Sequence, residues 1–336
     1  MFASSTIAYG IVNDNDDFNP VNRGAPNRNV QAIHAAFLDV KKVNNAILID
    51  ALVITKEREM VDINYQYLHQ YGADLNQTIY DYVPYGSFQK LARGISMPIA
   101  RYEAEKVFFA INRKEPDQVG LLNALVGKTN REIRDIKRFY VDLYNRNMTL
   151  RVEQQLRNSG IFGEFILRIL DGNRDENTRV DDSKLNGDVS DFGNALKQTG
   201  ATSESEKNLI PILTQRSNMH LQAVFSKLSI SLGVPFVILF KKKFGETLNG
   251  GLYQTVRTII DPAAYNAQRL KGVLIEGQIN ADKLIRLVVR NRDRTVMDNI
   301  KIEYKLLIGN IALPIKVKER TPTGDFQKLL LTIIGF

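Results

Sequence analysis

Two stretches of the chain carry the same pattern: residues 51–63 read ALVITKEREMVDI, and residues 124–136 read ALVGKTNREIRDI. The two copies lie 73 residues apart and align without a gap. A second pair of strings, GSFQKL at 86–91 and GDFQKL at 324–329, matches at five of six positions. Self-similarity over such intervals is typical of a chain built from an array of structural repeats.

A glycine followed two residues later by an aromatic residue or a leucine marks each copy of the repeat. This landmark glycine occurs at Gly86, Gly160, Gly250 and Gly324, at intervals of 74, 90 and 74 residues. The longer middle interval contains a polar, acidic stretch that indicates a connecting segment, so two pairs of repeats are joined by one linker. The predicted segments are a flexible head at 1–28, repeats at 29–98, 99–170, 193–261 and 262–336, and the acidic linker at 171–192.

The pattern within each repeat predicts helices. Apolar residues recur at spacings of three and four, and no alternating apolar and polar run favours a strand. Thr129 and Glu132 have the spacing of a capping box at a helix start. Gly72, Gly233 and Gly309 suit helix ends that need a positive φ, and Pro116 suits a first helical position. We therefore expect an all-α protein.

The composition narrows the class of partner. Forty-five Lys and Arg against 37 Asp and Glu give a formal charge of +8, which favours anionic partners such as acidic lipid, nucleic acid or polyanionic glycans. The basic clusters are Lys41-Lys42, Lys241-Lys242-Lys243, Arg290 with Arg292 and Arg294, and Lys316 with Lys318 and Arg320. Each cluster is equally well interpreted as a solvated face.

Several classes of site are not indicated by the sequence. The absence of cysteine excludes disulfides, thiolate zinc sites and cysteine nucleophiles. The longest apolar run, 234–240, is too short to cross a bilayer, and the first residues do not resemble a secretory signal, so an intracellular protein is expected. The three histidines are scattered, and no phosphate-binding loop or paired catalytic motif is found. We expect a protein that is not an enzyme.

The acidic linker has one alternative interpretation. Asp171, Asn173 and Asp175 begin a series at the ligand spacings of an EF-hand. However, Glu176 stands where the sharp turn needs glycine, and Arg179 stands at a ligand position. The pattern therefore favours an ordinary linker.

Several strings resemble the annexin family, and the resemblance runs in order from residue 29 to residue 336. The strings that carry it are LIPILTQRS at 209–217, LIRLVV at 284–289, GNRD at 172–175, KTNRE at 128–132, and the apolar ending at 329–336. The resemblance implies an array of four five-helix repeats that forms a curved disc. It also implies binding of acidic phospholipid through Ca²⁺ held in loops between the first two helices of each repeat.

The family's calcium loop resembles Lys-Gly-x-Gly-Thr, with an acidic residue later in the repeat. Glycines let backbone carbonyls turn toward the ion, and calcium prefers six to eight such oxygens. Every repeat departs from this pattern, since the acidic position three residues before the landmark glycine holds Val83, Arg157, Thr247 or Thr321. Candidate calcium ligands remain nearby, and we expect few or weak sites. These candidates are Asp81, Gly200, Glu246, Ile275, Gly277 and Glu319.

These observations lead to a principal hypothesis and an alternative. The first hypothesis is that the protein binds phosphatidylserine-like acidic membranes with a weakened or atypical dependence on calcium. It would then link membrane and cytoskeleton at the inner membrane face. The alternative is a scaffold on microtubules or flagella with little calcium dependence, because the divergent loops resemble those of protist annexins such as the alpha-giardins. A specific nucleic-acid partner ranks last among the hypotheses. Self-association is possible under either hypothesis. The head is either a partner-docking arm or a leader without function.

Overall fold

The computed structural model describes residues 28–39, 42–198, 200 and 203–336. Every regular element among these residues is a helix, which confirms the all-α prediction. The predicted head lies outside the described residues except for Arg28, which begins the first helix. Lys41 also lies outside them, so only Lys42 of that basic pair is described.

The described α-helices fall into four successive sets of five. The first set is α1 (Arg28–Ala35), α2 (Asn45–Ile54), α3 (Met60–Tyr71), α4 (Leu75–Tyr82) and α5 (Ser87–Ile95). The second set is α6 (Ile99–Ile111), α7 (Gln118–Leu125), α8 (Asn130–Tyr144), α9 (Met148–Leu156) and α10 (Gly160–Asp171). The third set is α11 (Asp182–Lys197), α12 (Ser203–Gln215), α13 (Asn218–Leu232), α14 (Phe236–Phe244) and α15 (Gly251–Ile260). The fourth set is α16 (Pro262–Ile275), α17 (Ala281–Arg290), α18 (Arg294–Leu307), α19 (Leu313–Arg320) and α20 (Asp325–Ile334). Short 3-10 segments lie at Glu57–Glu59 and Thr247–Gly250.

The repeated pattern at 51–63 and 124–136 spans the junction between the second and third helices of a repeat. The Thr129 side chain accepts a hydrogen bond from the Glu132 amide at 3.2 Å, and the Thr129 amide donates to the Glu132 carboxylate at 2.8 Å. In the first repeat the Lys56 amide donates to Glu59 at 3.3 Å. The same carboxylate therefore satisfies the same free amide in both repeats, which explains why Arg-Glu recurs there.

Glycine ends the third helix in two repeats. Gly72 and Gly233 both have φ +67°, and each follows the last residue of its helix. A side chain at this backbone conformation is strained, whereas glycine adopts it freely. The prediction is confirmed for Gly72 and Gly233, whereas Gly309, at φ +73°, lies two residues after the last residue of α18.

The landmark glycine begins a structural unit that is shared by the first and fourth repeats. Gln89 follows Gly86 by three residues, and its buried amide donates to the carbonyls of Val83 at 2.7 Å and Tyr80 at 2.9 Å. Gln327 follows Gly324 by three residues and donates to Thr321 at 2.7 Å and Lys318 at 2.9 Å. These glutamines satisfy carbonyls at the end of the fourth helix, which have no partner within their own helix.

The helices group into two compact units. One unit contains the residues up to Tyr102 together with Ala263–Phe336, and the other contains Glu103–Pro262. The first repeat therefore shares its core with the fourth, and the second repeat shares its core with the third. In each unit the fifth helix of one repeat packs on the second helix of the other, as α5 packs on α17 and α15 packs on α7.

Helix α11 begins at Asp182, inside the range 171–192 predicted for the acidic linker, so the connecting segment is shorter than predicted. This segment is held against the third repeat within its unit. The Arg174 guanidinium donates to the carbonyls of Leu213 at 3.1 Å and Arg216 at 2.9 Å. Its two acidic neighbours also accept hydrogen bonds within the chain. Asp175 accepts from the backbone amide of Asn177, and Glu176 accepts from the backbone amide of Asn130 at the start of α8. This pattern of hydrogen bonds fits a structured linker and not an EF-hand.

Among the described helices, no single one has the length and apolar character needed to cross a membrane, although the bent pair α13 and α14 meets that test when taken together.

Candidate functional site

The candidate site of each repeat lies where the end of its first helix approaches its fourth helix. The segment between the first and second helices is called here the first loop of the repeat. The last carbonyls of a helix carry partial negative charge and lack partners within the helix, so they attract cations. The identity of the group that binds these carbonyls determines what the loop can bind.

In the fourth repeat an arginine binds the first loop. Gly277, with φ +79°, turns the chain just after α16. Its carbonyl accepts a hydrogen bond from the Arg320 guanidinium at 2.5 Å. Glu319, the adjacent residue of α19, instead accepts from Lys316 at 2.6 Å. Ile275, the last residue of α16, has a side chain that is exposed.

In the third repeat a lysine takes the same role. The Lys243 ammonium, near the end of α14, donates to the carbonyls of Gln198 at 2.5 Å and Leu196 at 3.4 Å. These carbonyls lie at the end of α11, and desolvation lowers the pKa of Lys243. Gly200 is exposed with φ +74°, and Glu246 is exposed just before the 3-10 segment.

In the second repeat, a hydrogen bond between side chains joins the fourth helix to the end of the first helix. Arg151 of α9 donates to the Asn112 side chain, which follows the end of α6, at 3.4 Å. Arg113 donates to the Phe109 carbonyl at 3.3 Å. Arg157, three residues before the landmark glycine, is exposed. The positive charges of Arg151 and Arg157 oppose the binding of a metal ion in this repeat.

The first repeat differs because α4 contains no Lys or Arg. Asp81 lies in this helix, is exposed, and accepts a hydrogen bond from Gln77 at 2.7 Å. The first loop includes Val40 and Lys41, which lie outside the described residues. In this repeat Tyr82 stands four residues before the landmark glycine, where the fourth repeat has Arg320, and Asp81 stands at the position of Glu319.

The residues of the fourth repeat do not fit a calcium site as they are arranged. A calcium ion requires several oxygen ligands at once, with carboxylates among the strongest. Here the Gly277 carbonyl is bound by Arg320, and the Glu319 carboxylate is paired with Lys316. Within the described part of the chain, no three His, Asp or Glu side chains come close enough to hold a metal ion. The assignment of calcium to the six candidate residues stays a prediction.

Lysines lie beside aromatic rings near the ends of three fourth helices, and two of these rings are exposed. Lys90 lies 5.4 Å from the ring of Tyr85, whose side chain is 81% exposed. Lys318 lies 5.8 Å from the ring of Phe336, which is 71% exposed. A third pair joins Lys241 and Tyr253 at 5.8 Å. A hydrogen bond from Lys90 to Asp282 raises the pKa of Lys90, which keeps that side chain charged.

Sequence reasoning missed the two bases that bind the first loops. Arg320 and Lys243 were identified only as members of basic clusters. Their common signal is a basic residue in the last turn of the fourth helix, and this is visible in both repeats. The sequence pattern does not show the direction in which such a side chain points, so its contact with the first loop is visible only in the structure.

No family model matches the chain. Its sequence is 26% identical over 328 residues to annexin A11 of Oryctolagus cuniculus, covering 97% of this chain and 62% of that protein. The chain thus spans about three-fifths of the length of that relative. Among solved structures, it matches a mutant of annexin A8 that has an intact N-terminus, with a TM-score of 0.79 and 23% identity, covering 97% of both chains. It also matches a calcium-bound alpha-14 giardin with a TM-score of 0.74 and 16% identity, covering 90% of this chain and 97% of that one.

Proposed function

Because the chain resembles the annexins in sequence and in fold along nearly its whole length, we propose that it is a binding protein for acidic phospholipid surfaces. We further propose that calcium contributes weakly to this binding. The alpha-14 giardin structure is a calcium-bound one, which supports calcium as the ion to test on this chain.

The observation that carries the proposal is the pairing of lysine with an aromatic ring near three fourth helices, where the rings of Tyr85 and Phe336 are exposed. Tyrosine favours the boundary between lipid headgroups and acyl chains, phenylalanine inserts there as an apolar side chain, and lysine is attracted to the anionic headgroups. Each lysine near an anionic surface contributes about 1 kcal/mol of attraction. Lys241, Lys318 and their aromatic neighbours therefore offer contacts to lipid that require no metal ion.

The proposal is tested by co-sedimentation with vesicles. Phosphatidylserine vesicles are expected to sediment the full chain, whereas phosphatidylcholine vesicles are not, and calcium is expected to strengthen the binding by less than about tenfold. The double variant Lys241→Glu, Lys318→Glu is expected to lose most of the binding in chelator. The matched control is Arg134→Glu with Arg131→Glu on α8, both of which are exposed and change the charge equally. Equal sedimentation with both lipids would exclude recognition of acidic headgroups.

A second candidate function is a scaffold on cytoskeletal filaments. Ile302 and Leu306 lie one helical turn apart on α18, with side chains that are 59% and 69% exposed. Adjacent exposed apolar side chains favour a protein partner. Sedimentation of the chain with microtubules or actin in the absence of vesicles tests this function, and the double variant Ile302→Glu, Leu306→Glu is expected to abolish it.

A further inference from the structure

We propose that Arg320 and Lys243 act as internal cations in the fourth and third repeats, so that calcium can enter these first loops only by displacing them. The inference concerns the calcium regulation of the loops and to that extent builds on the proposed function. It is carried by contacts within the chain, and its test needs no lipid.

The contact in the fourth repeat is made across the fold. Arg320 is 43 residues from Gly277 in sequence and belongs to a different helix. A base near the end of its own helix commonly binds the last carbonyls of that helix, but such capping does not join two helices. Arg320 therefore connects α19 to the end of α16, where the partial negative charge of the helix terminus favours a cation.

The third repeat makes the same type of contact independently. Lys243 is 45 residues from Gln198 in sequence, and its ammonium binds two carbonyls at the end of α11. Both bases thus run from the last turn of the fourth helix to the end of the first helix. Two residues of different type in the same place indicate that the position requires a positive charge, since lysine and arginine share little else.

The surroundings of Arg320 also oppose a second cation. Lys316 pairs with Glu319, the carboxylate nearest in sequence, and Lys318 is exposed on the same helix. The position three residues before the landmark glycine holds Thr321, whose hydroxyl donates to the Val317 carbonyl at 2.7 Å. A calcium ion at the Gly277 carbonyl would therefore meet a guanidinium and find no free carboxylate on α19.

The test is a calorimetric calcium titration of the full chain without lipid. Arg320→Gln removes the charge, and Arg320→Glu also supplies a carboxylate. Both are expected to bind calcium at least about tenfold more tightly than the wild-type chain, with Arg320→Glu the tighter, because a like charge near the ion is removed. Lys243→Gln is expected to act in the same direction at the third repeat. Arg320→Lys, which keeps the charge, is expected to bind calcium as weakly as the wild-type chain.

The control for charge alone is Arg134→Glu on α8, which is expected to leave calcium binding unchanged. Calcium affinities of Arg320→Gln, Arg320→Glu and Lys243→Gln equal to that of the wild-type chain would overturn the inference. If Arg320→Gln fails to fold, as judged by circular dichroism, the calcium affinities of Lys243→Gln and Arg320→Lys still test the inference. If Arg320→Gln, Arg320→Glu and Lys243→Gln bind calcium more tightly but the chain does not bind vesicles, the inference is supported and the proposed function is rejected. If the chain binds vesicles but the calcium affinities are unchanged, the proposed function is supported and the inference is rejected.

Discussion

Asp74 shows how one side chain fixes both a helix start and a contact between helices. Its carboxylate accepts from the Gln77 amide at 2.9 Å, which caps α4. It also accepts from two nitrogens of Arg101, at 2.7 and 3.1 Å. Burial alone would raise the pKa of Asp74, but the Arg101 charge and these hydrogen bonds outweigh burial and hold the pKa below its ordinary value.

Replacing Asp74 with asparagine is expected to remove the ion pair and keep the helix cap. The nearly buried Arg101 would lose the Asp74 carboxylate, so we expect a loss of about 3 kcal/mol in the free energy of unfolding at pH 7. Because the pKa is lower in the folded state, the contribution of Asp74 is present above the unfolded pKa and is lost as pH falls through the folded pKa. Urea unfolding from pH 7 down to pH 3 measures this, and the difference in the free energy of unfolding between the two chains is expected to shrink toward the acidic end.

The control for this experiment is Asp191→Asn on α11, where the carboxylate is exposed. Its free energy of unfolding is expected to stay within about 0.5 kcal/mol of that of the wild-type chain. A constant difference between Asp74→Asn and the wild-type chain across the pH range would contradict the assigned role of the ion pair.

Single residues were predictable where a local pattern fixes their role. Thr129 and Glu132 form the capping box that their spacing indicated, because both partners lie within one turn. Pro116 was predicted to be the first residue of a helix, and this was wrong. Asp117 accepts from the Gly120 amide at 2.8 Å and thereby caps α7, which leaves Pro116 ahead of the cap. Arg320 could not be predicted, because its partner is distant in sequence.

At the level of helices, two glycines allow close packing within the units. A Cβ atom added to Gly94 on α5 would lie 2.7 Å from Cγ2 of Val289 on α17. A Cβ atom added to Gly251 on α15 would lie 2.8 Å from a methyl carbon of Leu122 on α7. The fifth helix of one repeat approaches the second helix of its partner repeat at a distance that only glycine permits.

Alanine at Gly94 is expected to destabilise the chain by about 1–3 kcal/mol, because the β-branched Val289 has little freedom to move away. The matched variant is Gly187→Ala in α11, where no atom lies within 4 Å of the added Cβ. Removing glycine from an open helical position is expected to stabilise by about 0.5–1 kcal/mol. Thermal unfolding of both variants gives the comparison, and equal shifts in Tm would reject close packing at Gly94.

At the level of the whole chain, the pairing of the repeats was not evident from sequence. The intervals of 74, 90 and 74 residues place the first repeat next to the second and the third next to the fourth. In the structure the first repeat shares a core with the fourth. Repeat spacing reveals the number and order of copies, whereas the partner of each apolar face depends on side-chain shape, as Gly94 and Val289 illustrate.

The net charge of +8 leads to a prediction for the complete molecule. Binding to phosphatidylserine vesicles in chelator is expected to weaken steeply between about 50 and 300 mM salt, on the order of tenfold or more, because ions screen the attraction between lysines and headgroups. Sedimentation across this salt range, with and without calcium, provides the measurement. Binding in chelator that is insensitive to salt would reject the basic residues as the source of attraction.

The unit that contains both ends of the described chain has a consequence for how the protein is made. Ala263–Phe336 completes the core begun by the residues up to Tyr102, whereas Glu103–Pro262 is continuous. Because the ribosome releases the chain from its amino end, the continuous unit can fold before the fourth repeat, which shares a core with the first repeat, has been synthesised. Until the fourth repeat has been synthesised, the apolar side chains of α2 and α5 lack the helices that cover them, and chaperones are expected to engage the nascent chain at that stage.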